Sequence, residues 1–164
     1  MKTTMKRIFS LLIVLVMVCG MLPVVASAAE QTASLSFANT ANRTNFNSTQ
    51  QVWAQNGITF TNDKASSTNA VANYSNPVRL YAKSSITVEF PGMKKIVFTC
   101  SSSDYASALA KSDSANLTAS GSTVTVTFSE PTDSFTVASI SAQVRVKSIE
   151  VTYDDAAGGD VHAH

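Results

Sequence analysis

Apolar and polar residues alternate along most of the chain between residues 33 and 153. Leu35 and Phe37 alternate with serines, and Ile58 and Phe60 alternate with threonines. A period of two is typical of β-strands that have one face in a core and the other in solvent. Short runs of this kind, separated by turn residues, predict an all-β fold. We expect a two-sheet antiparallel β-sandwich, jelly-roll-like, with at most one short helix.

The segment NPVRLYAKSSITVEF predicts a hairpin. A loop at residues 83–85 places Leu80 opposite Val88 and brings every apolar residue of the segment to one face. The same register places Arg79 opposite Glu89 on the other face, where a cross-strand ion pair is expected. Agreement of parity between two strands is what fixes their register.

A second hairpin follows from similar arithmetic. A loop at residues 129–134 pairs Phe128 with Phe135. Between the two hairpins, Pro91 and Gly92 suit the central positions of a type II turn.

The last strand contains a break in parity. Val146 and Ile149 fall in opposite phases of the alternation. One extra residue near Lys147 and Ser148, a β-bulge, returns both apolar sets to the core.

Three segments do not read as strands. Residues 104–111 predict the helical segment, because the serines before them can cap a helix. Residues 39–50 predict a polar loop. Residues 154–164 predict a linker or tail.

The N-terminal residues predict a signal peptide. A basic start, an apolar run at residues 8–22 and the motif Ala-Ser-Ala at residues 26–28 predict cleavage after residue 28. A membrane anchor is the rival interpretation, because the run approaches the length of a bilayer span. Pro23 and the cleavage motif favour removal. We therefore expect a signal peptide at 1–28, a β-sandwich domain at 29–153, and a secreted protein, free or associated with the cell surface.

The charge balance limits the classes of binding partner, and the cysteine count limits the possible disulfides. Three of the 12 Lys and Arg residues lie before residue 29, so the rest of the chain has nine basic residues against 11 acidic ones. This balance gives no electrostatic reason to expect nucleic acid, or a membrane after signal cleavage. With Cys19 removed, Cys100 has no disulfide partner within the chain, and its apolar surroundings predict a buried thiol.

The domain is poor in catalytic groups. His162 and His164 lie in the tail, so the fold offers no imidazole for a Ser-His-Asp arrangement or a His-based zinc site. A glycosidase needs two carboxylates across a cleft. The candidates sit mostly in turn-like segments, where a solvated surface role is expected: Asp63, Glu89, Asp104, Asp113, Glu130 and Asp133. We predict no enzyme, no cofactor and no metal site; structural calcium is compatible with a sandwich, but no motif indicates it.

Glycan binding is better supported than catalysis. Aromatic rings stack on the C–H faces of sugars, and planar Asn and Arg side chains hydrogen-bond their hydroxyls. The candidate ligand-binding residues lie on an outward strand face or in loops: Trp53, Asn73, Tyr74, Arg79, Tyr81 and Tyr105. Structural alternatives stay open for four of them. Arg79 can pair with Glu89, Tyr81 can cover the hairpin, Trp53 can fill the core, and Tyr105 can anchor the helix.

Three stretches carry a resemblance to known modules. NPVRLYAKSSITVEF, KKIVFTCSSSDYA and VRVKSIEVTY resemble a recurrent extracellular β-sandwich module of secreted bacterial proteins, similar in architecture to carbohydrate-binding modules. The resemblance implies an accessory domain whose partner is a polysaccharide or cell-surface glycan. The tail GGDVHAH resembles the join to Cys-rich repeats in long secreted proteins, which implies further domains downstream.

The leading interpretation is a secreted, non-catalytic module that binds glycan or cell-surface polysaccharide. A structural or adhesive spacer of a larger secreted protein is the alternative, and a small carboxylate-dependent hydrolase is less favoured. Clustered aromatic residues favour binding, and dispersed ones favour the spacer.

Overall fold

The computed structural model describes residues 29–112 and 116–155. The predicted signal peptide and most of the predicted tail lie outside the described residues. Within these ranges the chain forms nine strands, one α-helix and one 3-10 turn at Thr40–Asn42. The strands are β1 (Glu30–Ser36), β2 (Arg43–Phe46), β3 (Gln50–Gln55), β4 (Ile58–Asp63), β5 (Val78–Leu80), β6 (Ser85–Cys100), β7 (Thr118–Ser120), β8 (Thr123–Val137) and β9 (Val144–Asp154), and the helix is α1 (Ser103–Ala110).

Two long strands, β6 and β8, connect the two halves of the fold. They pair with each other from Ile86↔Val137 to Thr99↔Thr123. The first half of β6 also pairs with β4, which continues to β3 and β2. The second half of β6 pairs with β9, which carries β1 and β5 on its other edge, while β7 pairs with β8. All the strand pairs are antiparallel.

One hydrophobic core joins the two halves. Phe37, which follows β1, lies with its ring centroid 5.2 Å from that of Trp53 in β3 and 5.1 Å from that of Phe60 in β4. All three side chains are fully buried, as is Phe98 in β6. The prediction of an all-β, sandwich-like fold with one short helix is confirmed.

The prediction that a turn at Pro91 and Gly92 separates two strands is wrong, because these residues bend the single strand β6, although the φ of Gly92 is positive as a type II turn requires. The β6–β8 register shifts between Glu89 and Met93, and Gly92 has a φ of +70°. Proline is tolerated at such a shift because no ladder hydrogen bond is needed from it. The carboxylate of Asp133 accepts a hydrogen bond of 2.9 Å from the Gly92 amide, which holds the bend.

The first predicted hairpin is also wrong. β5 pairs with β9, so Leu80 lies opposite Val144 and Arg79 lies opposite Arg145. Val88 pairs instead with Phe60 and Phe135. The alternation of apolar and polar residues assigned each side chain to the correct face of its strand. Several strands share the same alternation, however, so the pattern does not determine which two strands pair.

The second predicted hairpin is replaced by an excursion within β8. Thr127 pairs with Lys95 and Thr132 pairs with Met93, so residues 128–131 bulge out of the ladder. Phe128 and Phe135 lie on the same strand, although their ring centroids are only 5.5 Å apart.

The bulge predicted in the last strand is confirmed. Ser148 pairs with Thr99 and Val146 pairs with Cys100, so Lys147 is the extra residue. Val146 and Ile149 are consequently both buried.

The other segments give mixed outcomes. Helix α1 is confirmed, and Ser102 caps it by accepting a hydrogen bond from the Tyr105 amide. The predicted loop at residues 39–50 is wrong, since it contains the 3-10 turn and β2. Within the described ranges, no helix combines the length and the apolar character that a bilayer crossing requires.

The first and last strands are joined by an ion pair. Lys94 Nζ lies 3.1 Å from a carboxylate oxygen of Glu30 and 3.2 Å from one of Asp154. Hydrogen bonds to Glu30 and Asp154 raise the pKa of Lys94. Glu30 and Asp154 are also partners in the β1–β9 ladder.

The cap of α1 is open to a direct test. Replacing Ser102 by Ala removes the acceptor for the Tyr105 amide, and loss of such a cap costs about 1 kcal/mol. We expect Ser102→Ala to lower the free energy of unfolding by roughly this amount in urea denaturation. Ser103→Ala, one residue inside the helix, is the matched control; an equal loss in both variants would contradict the capping role.

The buried thiol gives a second test. Cys100 is 2% exposed, and burial raises its pKa to about 12 from 9.0. We expect no reaction with Ellman's reagent near neutral pH until the protein is unfolded. Because the unfolded thiol ionises first, stability falls as the pH rises from 9.0 towards about 12. Cys100→Ala should lessen that fall, and rapid labelling of the native protein would contradict the assignment.

Candidate functional site

A β-bulge in the edge strand β2 aligns two side chains that lie three residues apart. Arg43 pairs with Trp53 and Asn45 pairs with Val52, so Thr44 is the extra residue. Without it, Arg43 and Phe46 would point to opposite faces of the strand. The bulge therefore places both on one side of the sheet edge.

The guanidinium of Arg43 is held among aromatic rings and an amide. It lies 4.9 Å from the centroid of the Phe46 ring and 5.8 Å from that of the Trp53 ring. Its Nη1 donates a hydrogen bond of 2.6 Å to Oδ1 of Asn73. This contact joins β2 to the long loop between β4 and β5.

Two buried amides position that loop. Gln51 and Asn62 are cross-strand partners with 0% and 1% exposure. Gln51 donates a hydrogen bond of 3.1 Å to the Tyr74 carbonyl, and Asn62 donates one of 3.1 Å to the Arg79 carbonyl. The backbone around Tyr74 is thus fixed, while its side chain is 46% exposed.

Two arginines meet where β5 joins β9. Arg79 and Arg145 are direct partners in the ladder. Like charges in this position are destabilising. Each guanidinium stacks on a different tyrosine: Arg79 lies 3.7 Å from the Tyr74 ring centroid, and Arg145 lies 5.3 Å from that of Tyr105. Stacking on separate rings gives each charge a favourable partner.

These contacts form a continuous surface, which we call the arginine–aromatic strip. It consists of Phe46, Arg43, Asn73, Tyr74, Arg79, Arg145 and Tyr105, in that order. Chemically, the strip offers partly exposed aromatic faces beside planar hydrogen-bonding groups.

The strip unites four of the six residues predicted from the sequence: Asn73, Tyr74, Arg79 and Tyr105. Trp53 does not belong with them, because it is fully buried and offers no ring face to a ligand. Tyr81 follows β5 directly and is half-buried; in the described part of the chain, no stacking contact or side-chain hydrogen bond joins it to the strip. The expected Arg79–Glu89 ion pair is absent, since Glu89 pairs in the ladder with Thr59 and Ser134.

Sequence reasoning missed Arg43, Phe46 and Arg145. One signal was available: the chain has only three arginines after residue 28, against six lysines. A second signal was Phe46, a large apolar residue in a segment that otherwise read as a polar loop. Arg145 carried no local signal, because its tyrosine lies 40 positions away in α1.

A depression lies beside the bend in β6. This depression has a volume of about 270 Å³ and is lined by Gly57, Thr59, Glu89, Phe90, Pro91 and Asp133. Glu89 and Asp133, two of the carboxylates considered for a hydrolase, therefore line the same depression. Both residues are exposed, and Asp133 already bonds the Gly92 amide. Among the described residues, no group of three or more His, Cys, Asp or Glu side chains is placed to hold a metal ion.

Comparison with known proteins gives a likeness to solved structures but no family. No family model matches the chain, and no curated protein matches it. One solved structure with a related arrangement comes from a study of how the Ruminococcus flavefaciens cellulosome reflects an expansion in glycan recognition. It is 19% identical, with a TM-score of 0.43 over 79% of this chain and 98% of that chain. Likeness at this level carries no argument about the function of the chain.

The burial of Trp53 can be tested because it is the only tryptophan. We expect blue-shifted fluorescence that acrylamide quenches weakly, since no part of the ring is open to solvent. Binding of a glycan should leave the tryptophan emission unchanged. Unfolding in urea is the control that restores full quenching, and strong quenching of the native protein would return Trp53 to the list of ligand-binding residues.

Proposed function

We propose that this chain is a secreted, non-catalytic module that binds polysaccharide through the arginine–aromatic strip. The carrying observation is the arrangement at Tyr74, a residue that is 46% exposed and whose backbone carbonyl accepts a hydrogen bond from Gln51. The Arg79 guanidinium stacks on one face of the Tyr74 ring, and Asn73 is the preceding residue. An exposed aromatic face beside planar hydrogen-bonding groups suits a sugar, which has both C–H surfaces and hydroxyls.

The rigidity of the strip supports binding over chance exposure. Buried amide donors hold the backbone carbonyls of Tyr74 and Arg79. A site that is already ordered loses little conformational entropy when a ligand arrives. Phe46, at 36% exposure, extends the aromatic surface at the other end.

The spacer alternative also has a specific observation in its favour. Each arginine of the strip already stacks on an aromatic ring of the same domain. Such pairs stabilise a surface without any ligand, by about 0.5–1 kcal/mol at exposed sites. Under that alternative, loss of the Tyr74 ring changes stability only.

The test is affinity electrophoresis of the exported protein through gels that contain neutral or acidic polysaccharides. We expect retention on at least one polysaccharide, and we expect Tyr74→Ala to weaken it about tenfold, as loss of one stacked ring of about 1.4 kcal/mol would do. Tyr74→Phe keeps the ring and is the matched control, with affinity within about threefold of the parent protein. Thermal unfolding checks that both variants remain folded.

Two results would contradict the proposal. If no polysaccharide retards the protein, the spacer alternative is favoured. If retention is unchanged in Tyr74→Ala, the ligand binds elsewhere on the domain.

A further inference from the structure

We propose that the polysaccharide recognised by the strip is acidic, with uronic acid carboxylates bound by Arg79 and Arg145. This inference rests on the proposed function, and it specifies the chemical class of the ligand. A uronic acid combines a ring face and a carboxylate in one sugar residue. The strip offers the matching pair twice, as Tyr74 with Arg79 and as Tyr105 with Arg145.

The positive charges of the strip are not neutralised by carboxylates of the described residues. Both ion pairs among the described residues belong to Lys94, so Arg43, Arg79 and Arg145 have no carboxylate of those residues within 4.0 Å. Directly opposed like charges are unfavourable in a sheet. An anion placed between Arg79 and Arg145 would relieve that repulsion.

The guanidinium groups of Arg79 and Arg145 also have hydrogen-bond donors without a partner among the described residues. A guanidinium carries five N–H donors in a fork that matches a carboxylate. The side chains of Arg79 and Arg145 donate no hydrogen bond to another described residue, and Nε of Arg145 is buried without a partner. Arg43 differs, because it donates to Asn73. Both arginines are partly exposed, so their terminal Nη donors, unlike the buried Nε of Arg145, are the groups proposed to bind a ligand.

The overall charge of the domain does not favour a nucleic acid as the anion. After residue 28 the chain has more acidic than basic residues, so the domain lacks the extended positive field that phosphate backbones require. All three arginines after residue 28 lie in the strip, each beside an aromatic ring. A carbohydrate carboxylate fits a short-range site of this kind.

The test uses matched pairs of ligand. Polygalacturonate, alginate and hyaluronate are compared with their own methyl esters, which keep the sugar backbone and remove the charge. We expect the exported protein to bind at least one free acid at least about tenfold more tightly than its ester, since one charge-assisted contact is worth about that factor. Binding of the acid, unlike stacking alone, should weaken as the ionic strength rises.

The variants separate recognition from folding. We expect Arg79→Gln with Arg145→Gln to reduce affinity for the acid at least about tenfold. The unfolding temperature should change little, because removal of the like-charge repulsion offsets the loss of the two arginine–tyrosine contacts. Arg79→Lys with Arg145→Lys keeps the charge without the planar fork, so affinity should be intermediate. Lys95→Gln on the outer face of β6 removes one positive charge away from the strip and should bind as the parent protein does.

The outcomes distinguish the inference from the proposed function. Equal binding of acid and ester, with Tyr74 still required, overturns the acidic ligand and leaves the glycan-binding function in place. Binding of neither form of any polysaccharide overturns both. If the protein binds single-stranded DNA and no polysaccharide, both the acidic ligand and the glycan-binding function are overturned, because the recognised anion is then a phosphate. Loss of acid binding in the Gln pair, without loss in Lys95→Gln, supports the inference.

Discussion

The antiparallel pairing of β6 with β8 is the constraint on which the rest of the molecule depends. These strands belong to both halves of the sandwich, so their bends decide how the halves face each other. The bend in β6 combines a proline that donates no hydrogen bond, a glycine at positive φ and the Asp133 carboxylate that fixes the Gly92 amide. With the bend in place, Phe37 reaches Trp53 and Phe60 from the opposite layer. A straight ladder would have left both apolar faces exposed.

The position of β5 then creates the candidate site. Because β5 joins the edge of β9 rather than β6, Arg79 and Arg145 face each other. The fold accommodates this unfavourable pair by directing each guanidinium to a tyrosine from a different segment, the loop before β5 for Tyr74 and α1 for Tyr105. The site is therefore a product of topology: its parts come from β2, a loop, two paired strands and a helix that are distant in sequence.

The sequence predicts which face of a strand a side chain occupies wherever apolar and polar residues alternate clearly. Alternation assigned the faces of Leu80, Val88 and Ile149 correctly, and the broken alternation near Lys147 located a real bulge. The bulge at Thr44 was not predictable in this way, because a run of polar residues has no phase to break. Strand partners were mispredicted for a related reason: many strands here share one apolar phase. Four residues chosen from their chemical type lie together in the strip, whereas Arg145 became recognisable only when β5 and β9 were paired.

The Lys94 ion pairs hold the two ends of the domain next to each other. Glu30 and Asp154 are partners in the ladder and share one ammonium group, so the backbone enters and leaves side by side. Arg145 stands nine residues earlier on β9, roughly 30 Å away along an extended strand. In a domain attached at the Asp154 end, Arg145 and its neighbours in the strip would lie at the far end of β9 from the attachment point.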